Sequence, residues 1–537
     1  MMAAQTVTDS FARDNLPPRD QWPEIDLSHP AYHYPDRLNC VTRFIDRWIE
    51  EGKGERIAFL TPDSSLTYAE VATRVNQLAH VLVDDFGLVP GNRVMLRAAN
   101  TPMMVIAYMA VIRAGGIAVG TMPLLRAKEL IAIAEKAEIS LALCDESLAE
   151  ELTDARAKAP VLKTIGWFDG SGSMLEQLMA SKPATFEPYD SASDDVCLIA
   201  FTSGTTGTPK GTVHFHRDLL AICDGFSTHV LKPDENDIFC GSPPLAFTFG
   251  LGGLALFPMH VGAASLLLQA APPDALLAAI EKHRATICFT APTAYRAMLA
   301  RLDDHDISSL RKAVSAGEHL PKATFEAVRD KMGISLIDGL GATEMLHIFI
   351  TSAGDDIRVG ATGVPVPGYA ACILGDDGKE VPRGTAGNLA VKGPTGCRYL
   401  SDPRQADYVK GGWNLTGDTM IEDEDGYFWY QARADDMIIS AGYNISGPEV
   451  ENALLTHTAV SECGVIGAPH EERGQIVKAF VVLNDGCQDD GDMVKTLQDH
   501  VKHTVAPYKY PREIRFLERL PRTQTGKLQR FKLRDHE

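Results

Sequence analysis

Through the first two thirds of the chain, short apolar runs alternate with stretches whose apolar positions recur at helical spacing. Arg56–Leu60 and Arg93–Leu96 predict strands, and the periodicity of Tyr68–Phe86 predicts an amphipathic helix between them. Pro102–Arg113 predicts a buried helix, followed by a strand over Gly116–Gly120. Further strands are predicted at Ser140–Cys144, Val196–Thr202, Ala263–Leu268, Thr286–Thr290 and Lys312–Ser315. Strands separated by helices imply parallel α/β layers. From about Gly360 the pattern shortens and fills with turn residues, as in Gly384-Thr-Ala-Gly387 and Asp423-Glu-Asp-Gly426, which predicts a small β-rich subdomain over about 360–434. A second change falls near Asp435, after which Pro448–Leu455 and Met493–Thr504 predict helices and Val477–Leu483 a strand. The expected organisation is an α/β fold: a large N-terminal domain, 1–434, and a small α+β C-terminal domain, 435–537.

Charge narrows the partners. The chain has 537 residues with 51 Lys+Arg against 71 Asp+Glu, a net charge of -20. A duplex-binding protein needs a cationic surface to displace counterions, so nucleic acid and anionic membrane are not the expected partners. The balance reverses locally, because Lys502 to Arg534 holds ten Lys/Arg against Glu513 and Glu518. A basic end in an acidic chain suits either a solvated face or a lid over a polyanionic ligand. The uncharged stretch from Ile238 to Pro273 is long enough to span a bilayer, but Pro243, Pro244, Pro258 and several glycines interrupt it, so buried helix and strand are expected. The ten cysteines form no C-x-x-C and no zinc-ligand spacing, which predicts mostly buried thiols. The polar N-terminus has no apolar signal segment, and a cytoplasmic location is expected.

The densest chemistry is Phe201-Thr-Ser-Gly-Thr-Thr-Gly-Thr-Pro-Lys-Gly211, directly after an apolar strand. Its glycines, hydroxyls, backbone amides and Lys210 suit phosphate oxygens. It is not a Walker A loop, because G-x-x-x-x-G-K-[ST] is absent from the chain.

With this loop stand Asp338-Gly-Leu-Gly-Ala-Thr-Glu344, Thr416-Gly-Asp418, Arg433-Ala-Asp-Asp436, Gly442-Tyr-Asn-Ile-Ser446 and Pro521-Arg-Thr-Gln-Thr-Gly-Lys527. In order and spacing the six motifs resemble the AMP-forming adenylating superfamily of acyl-CoA synthetases, peptide-synthetase adenylation domains and luciferases. The resemblance implies a substrate carboxylate attacking the α-phosphate of ATP, with a mobile C-terminal lid and with ATP, Mg²⁺ and coenzyme A as required small molecules. It places Thr202, Ser203, Gly204, Thr205, Thr206, Gly207 and Lys210 on the phosphates, and Gly317, Glu318, Asp338 and Gly339 around adenine. Thr343 and Glu344 offer a hydroxyl and a carboxylate suited to phosphate and Mg²⁺. Asp418 and Arg433 can hold the ribose. Lys527 neutralises charge as the carboxylate attacks phosphorus. Asp435 corresponds to the hinge of a swivelling lid, and Gly442 and Arg473 to coenzyme A contacts, with Lys478, Lys509 and Arg512 as further cations for its phosphates.

Two features bear on the acid. Phe247 stands in Leu245-Ala-Phe-Thr-Phe-Gly250 where many relatives carry His, and Glu344-Met-Leu-His-Ile-Phe349 resembles benzoate-CoA ligases. Phe247, Thr248, Phe249, Gly341 and His347 would line a flat pocket for a small aromatic carboxylic acid. The segments Phe11 to Trp22 and Gly396-Cys-Arg-Tyr-Leu400 resemble 2-aminobenzoate-CoA ligases. That makes 2-aminobenzoate the expected acid, with benzoate and salicylate as rivals. A carrier protein loaded in trans and a non-catalytic nucleotide sensor are the alternative functions. Retention of Glu344, Asp418, Arg433 and Lys527 argues against the sensor. Homodimerisation is left open.

Overall fold

The computed structural model describes residues 7–169, 172–202, 209–433, 436–440, 443–470, 473–522 and 528–534. Two mostly parallel sheets form the large N-terminal domain. The six-stranded sheet runs in the order Thr164–Phe168, Leu141–Asp145, Arg93–Arg97, Ile117–Thr121, Val196–Thr202 and Lys210–Phe215, with only the last pair antiparallel. The nine-stranded sheet is parallel through Leu336–Gly341, Lys312–Ala316, Ile287–Thr290, Ile238–Gly241, Ala264–Leu266 and Ile57–Leu60, with antiparallel strands at both edges.

One core joins the two sheets. It packs Val94 and Leu96 of one sheet with Phe59, Phe239 and Phe289 of the other, around the buried helix Pro102–Arg113. That helix starts with Pro102 in its first turn and the Thr101 side chain capping the Met104 amide at 3.3 Å. The amphipathic helix is α-helical over Tyr68–His80, opened by a reciprocal Thr67–Glu70 capping box, and then widens to i→i+5 bonding over Val81–Asp85. The uncharged stretch folds as expected into buried pieces: the strand Ile238–Gly241, a helical run from Thr248 to Val261, and the strand Ala264–Leu266. No helix among the described residues is long and apolar enough to cross a membrane.

The third sheet is antiparallel: Ala370–Leu374, Ala386–Lys392, Trp413–Glu422, Val409–Lys410 and Phe428–Arg433. The fourth belongs to the small C-terminal domain and starts at Ile438; its long strands Val460–His470 and Gly474–Leu483 carry the helices Gly447–Leu455 and Gly491–Thr504 on a core of Val450, Leu454, Val477, Val481, Leu497 and Val501. Its contacts with the rest include Ser446 Oγ, which donates to the Gln431 carbonyl, and Asn452, within 3.2 Å of His319 Nε2.

Candidate active site

Thr202, Gly317, Glu318, Asp338, Gly339 and Glu344 lie at or just beyond the carboxyl ends of parallel strands, where open α/β sheets bind ligands, and Lys210 begins the antiparallel neighbour. Thr202 ends one strand and pairs in register with Lys210, which begins the next. The hydroxyl of Thr202 is buried and has no hydrogen-bond partner among the described residues. Ser203, Gly204, Thr205, Thr206 and Gly207 lie outside the described residues, as do Asp435, Gly442 and Lys527.

Lys210 and Glu344 converge on a tyrosine that the motif reading left without a role. Lys210 Nζ donates to the Tyr399 hydroxyl at 2.8 Å and lies 3.6 Å from Glu344 Oε1. The Tyr399 hydroxyl donates to the same Glu344 oxygen. Tyr399 and Glu344 are buried, and Lys210 also lies over the Tyr399 ring at 4.7 Å from its centre. Burial, followed by the nearby Glu344 carboxylate, holds the Tyr399 phenol well above its ordinary range, so it is a neutral donor.

The strand Lys210–Phe215 holds this corner together. Leu400 donates its amide to the Gly211 carbonyl at 2.8 Å, and Val213 to the Arg398 carbonyl at 2.8 Å, so Tyr399 is laced to the strand that Lys210 begins. His214 on the same strand is 2.9 Å from the Thr343 carbonyl through Nε2. A carbonyl can only accept, so the ring carries its proton there. Burial pushes His214 down to about 4, which keeps it neutral. Asp218 and Arg398, both fully buried, pair behind it at 3.0 Å.

Asp338 and Gly339 are register partners of Ser315 and Ala316 on adjacent parallel strands, so the two expected adenine loops leave the sheet side by side. Gly317 turns at φ +90°, and Glu318 is 3.4 Å from Arg522. Burial pushes the Asp338 carboxyl up to about 8, opposed by the Gly339 amide. Asp418 is buried and pairs with Arg433 at 2.9 Å across the adjacent strands Trp413–Glu422 and Phe428–Arg433.

The expected aryl pocket is only partly assembled from the residues named for it. Phe249 and His347 meet with ring centres 5.7 Å apart. Thr248 is buried, while Phe247 caps the short helix Thr248–Leu251 and makes no ring contact with the cluster among the described residues. The cluster instead recruits Phe226, Phe257 and Phe289, at 5.4, 4.6 and 6.5 Å from the His347 ring. Burial among these rings pushes His347 down to about 3, and neither ring nitrogen has a hydrogen-bond partner of good geometry among the described residues. Gly252 makes the arrangement sterically feasible: a Cβ there would sit 2.4 Å from His347 Cδ2. A Cβ on Gly341 would come within 2.9 Å of the His347 carbonyl oxygen.

Several cations of the basic C-terminal segment are already paired. Lys509 meets Glu449 at 2.6 Å, Arg530 meets Glu451 at 2.7 Å and Arg534 meets Asp436 at 2.7 Å, and outside the segment Lys478 meets Glu513 at 3.2 Å. Arg473 Nε is 3.4 Å from Ser440 Oγ, at the end of the strand Ile438–Ser440. Eight cysteines are buried, as expected, with Cys463 half-buried and Cys487 exposed. Sequence spacing gave no sign that Cys40, Cys197 and His216 converge, yet their ligating atoms lie within 4.8 Å of one another. His216 Nδ1 accepts the Cys40 amide at 3.2 Å, so its lone pair is spent on holding the core.

The sequence profile of the AMP-binding enzyme family matches residues 45–399, and that of the AMP-binding enzyme C-terminal domain matches 449–527. The chain belongs to this family. The benzoate–CoA ligase of Thauera aromatica is 35% identical over 94% of this chain and 97% of its own length. The 4-hydroxybenzoate–CoA/benzoate–CoA ligase of Rhodopseudomonas palustris is 33% identical over 93% and 94%. Among solved structures, the anthranilate CoA ligase AuaEII in complex with anthranoyl-AMP superposes with a TM-score of 0.90 at 34% identity, covering 94% of this chain and 98% of that one. Within the family, the protein is an AMP-forming ligase of the acyl- and aryl-CoA class.

Proposed function

We propose that the protein activates 2-aminobenzoate with ATP and passes the aryl group to coenzyme A. The acid's carboxylate oxygen attacks the α-phosphorus, pyrophosphate leaves, and an aryl-adenylate forms. The thiol of coenzyme A then attacks the acyl carbonyl, and AMP leaves as the thioester forms. The observation that carries this reading is the full-length likeness, at 34% identity, to a ligase solved with anthranoyl-AMP, together with the ring-lined cluster around His347.

In this reading Thr202, Lys210 and the loop between them bind the phosphates, and Asp418 and Arg433 hold the ribose. Asp338, Gly339, Gly317 and Glu318 flank adenine. The carboxylate of Glu344 suits a hard cation: both of its contacts fall on Oε1, so Oε2 carries no hydrogen bond from a described residue. Glu344, beside Thr343, would hold Mg²⁺, which when bound supplies positive charge against the phosphate oxygens. Lys527 neutralises charge during adenylation. Asp435 marks the hinge between domains 1–434 and 435–537, and Gly442 and Arg473 face coenzyme A in the second half-reaction.

Apolar burial alone does not choose among benzoates, because a ring gains its area term whatever its substituent. His347 supplies the polar edge: a neutral imidazole in an aromatic cage can pair with an ortho amino group, and a site built for such a bond rejects the analogue lacking it. Specificity constants for 2-aminobenzoate, salicylate, benzoate, 4-hydroxybenzoate and octanoate, measured by AMP release with and without coenzyme A, test this. 2-Aminobenzoate should rank first with release dependent on coenzyme A. Octanoate or 4-hydroxybenzoate in first place would overturn the ortho-substituted acid.

A further inference from the structure

We infer that Tyr399 is a positioning residue for the nucleotide site, whose hydroxyl keeps Lys210 and Glu344 from collapsing onto each other. The inference rests on the adenylation reading and goes beyond it by assigning a residue and a task. An ammonium and a carboxylate 3.6 Å apart, the carboxylate buried and the lysine half-buried, attract more strongly than in open water because less water screens them. If they closed into a direct pair, the cation meant for phosphate and the carboxylate meant for metal would each be spent on the other. The Tyr399 hydroxyl prevents this by satisfying both, accepting from Lys210 and donating to Glu344. A phenol does this with one bond to each partner. The ammonium keeps two further N–H donors and the carboxylate keeps Oε2.

The backbone makes the arrangement a fixture. Lys210 and Tyr399 are 189 positions apart, and Tyr399 and Glu344 are 55 apart. Yet the strand Lys210–Phe215 binds the Tyr399 segment on both flanks, and through His214 it binds the carbonyl directly before Glu344. The Tyr399 amide in turn donates to Gln405 Oε1 at 2.9 Å. The three groups are therefore held in place by the fold before any ligand arrives, which lowers the ordering that binding must supply.

The neighbouring Tyr408 is the internal control. Its ring centre lies 5.8 Å from that of Tyr399, and its buried hydroxyl has no partner among the described residues. Tyr399→Phe and Tyr408→Phe each remove one oxygen from the same aromatic corner, but only the first removes hydrogen bonds.

The test is calorimetric titration of the full chain with α,β-methylene-ATP, whose bridging carbon blocks adenylation, in excess Mg²⁺ and again in EDTA. Tyr399→Phe should weaken the Mg²⁺-dependent binding roughly ten-fold or more, the loss expected for bonds to charged groups. It should cost clearly less in EDTA, and Tyr408→Phe should stay within about two-fold of the parent, on the scale of a hydroxyl that makes no bond. In a Glu344→Gln background, Tyr399→Phe should add little, because the residue acts through that carboxylate. Thermal melts of each variant establish that it is folded. Parent-like binding by Tyr399→Phe, an equal loss in Tyr408→Phe, or an equal loss with and without Mg²⁺ would each overturn the inference. Failure of the parent chain itself to bind the analogue would overturn the adenylation reading instead.

Discussion

The corner around Lys210 and the corner around His347 are both deep in the large domain, and they treat polar groups in opposite ways. At the first, a lysine, a tyrosine and a glutamate exchange hydrogen bonds, and a neutral histidine braces the backbone behind them. At the second, an imidazole sits among four phenylalanine rings with neither nitrogen in a hydrogen bond of good geometry to a described residue. Buried polar atoms cost free energy unless paired. At the first corner Lys210, Tyr399 and Glu344 meet that cost among themselves, while the buried hydroxyls of Thr202 and Tyr408 have no partner among the described residues. At the second, the imidazole nitrogens have no hydrogen bond of good geometry among the described residues. One holds its polar groups through bonds within the fold, and the other holds its imidazole by ring packing.

The largest effect should come from breaking the first corner at its carboxylate. Glu344→Gln keeps the shape and removes the charge, and should lower the rate of aryl-adenylate formation by about 10²- to 10³-fold, the range for losing a preorganised electrostatic group. Pyrophosphate release in a single turnover measures this. Transfer from presynthesised aryl-adenylate to coenzyme A should be spared if Glu344 acts on the ATP phosphates, since pyrophosphate has left before that step. Equal losses in both half-reactions would mean that the corner serves the fold rather than the nucleotide.

The two corners also differed in how far they could be read in the sequence. Strand positions were legible because each is an apolar run closed by polar or turn residues: Val196–Thr202 and the helix Pro102–Arg113 emerge with the expected bounds. Lys210 and Glu344 were legible because they stand in short motifs. Tyr399 was visible only as part of a resembling segment, because its role depends on cross-strand pairing over 189 positions, which no local pattern encodes. His214 was missed for the same reason. At the second corner Phe249 and His347 were named, but Phe226, Phe257 and Phe289 were not, since a ring in a cage and a ring in a core have the same hydrophobic pattern. The basic C-terminal segment was legible as charge, but not as charge paired with Glu449, Glu451 and Asp436.

A smaller effect, confined to the second corner, is expected from Gly252→Ala. The added methyl would sit 2.4 Å from a carbon of the His347 ring, far inside van der Waals contact, so the imidazole must move. Displacing a positioning group by an ångström costs up to about 100-fold. The specificity constant for the aromatic acid should fall roughly 10- to 100-fold on that basis, with the KM for Mg·ATP unchanged. A rise in the KM for Mg·ATP of similar size would show that the two corners are mechanically one.

The smallest effect separates the corners by pH. His347 is pushed from 6.5 down to about 3 by burial, so between these values the unfolded chain binds a proton that the native chain refuses. Stability therefore falls as pH drops through that window. Asp338, on the strand that leads to Glu344, is pushed from 3.8 up to about 8, so here the native chain holds the extra proton. Its contribution is present at low pH and is lost as pH rises from about 4 towards 8, the opposite sign. Denaturant unfolding in steps from pH 4 to 8 should reflect both. His347→Gln should flatten the acid limb and leave the neutral limb alone, whereas Asp338→Asn should raise stability progressively towards pH 8 relative to the parent and change little at pH 4. Identical pH profiles for the parent and Asp338→Asn would mean that solvent reaches that carboxylate freely. The contrast between a hydrogen-bonded polar corner and a ring-packed aromatic one would then have to stand on Lys210, Tyr399 and Glu344 alone.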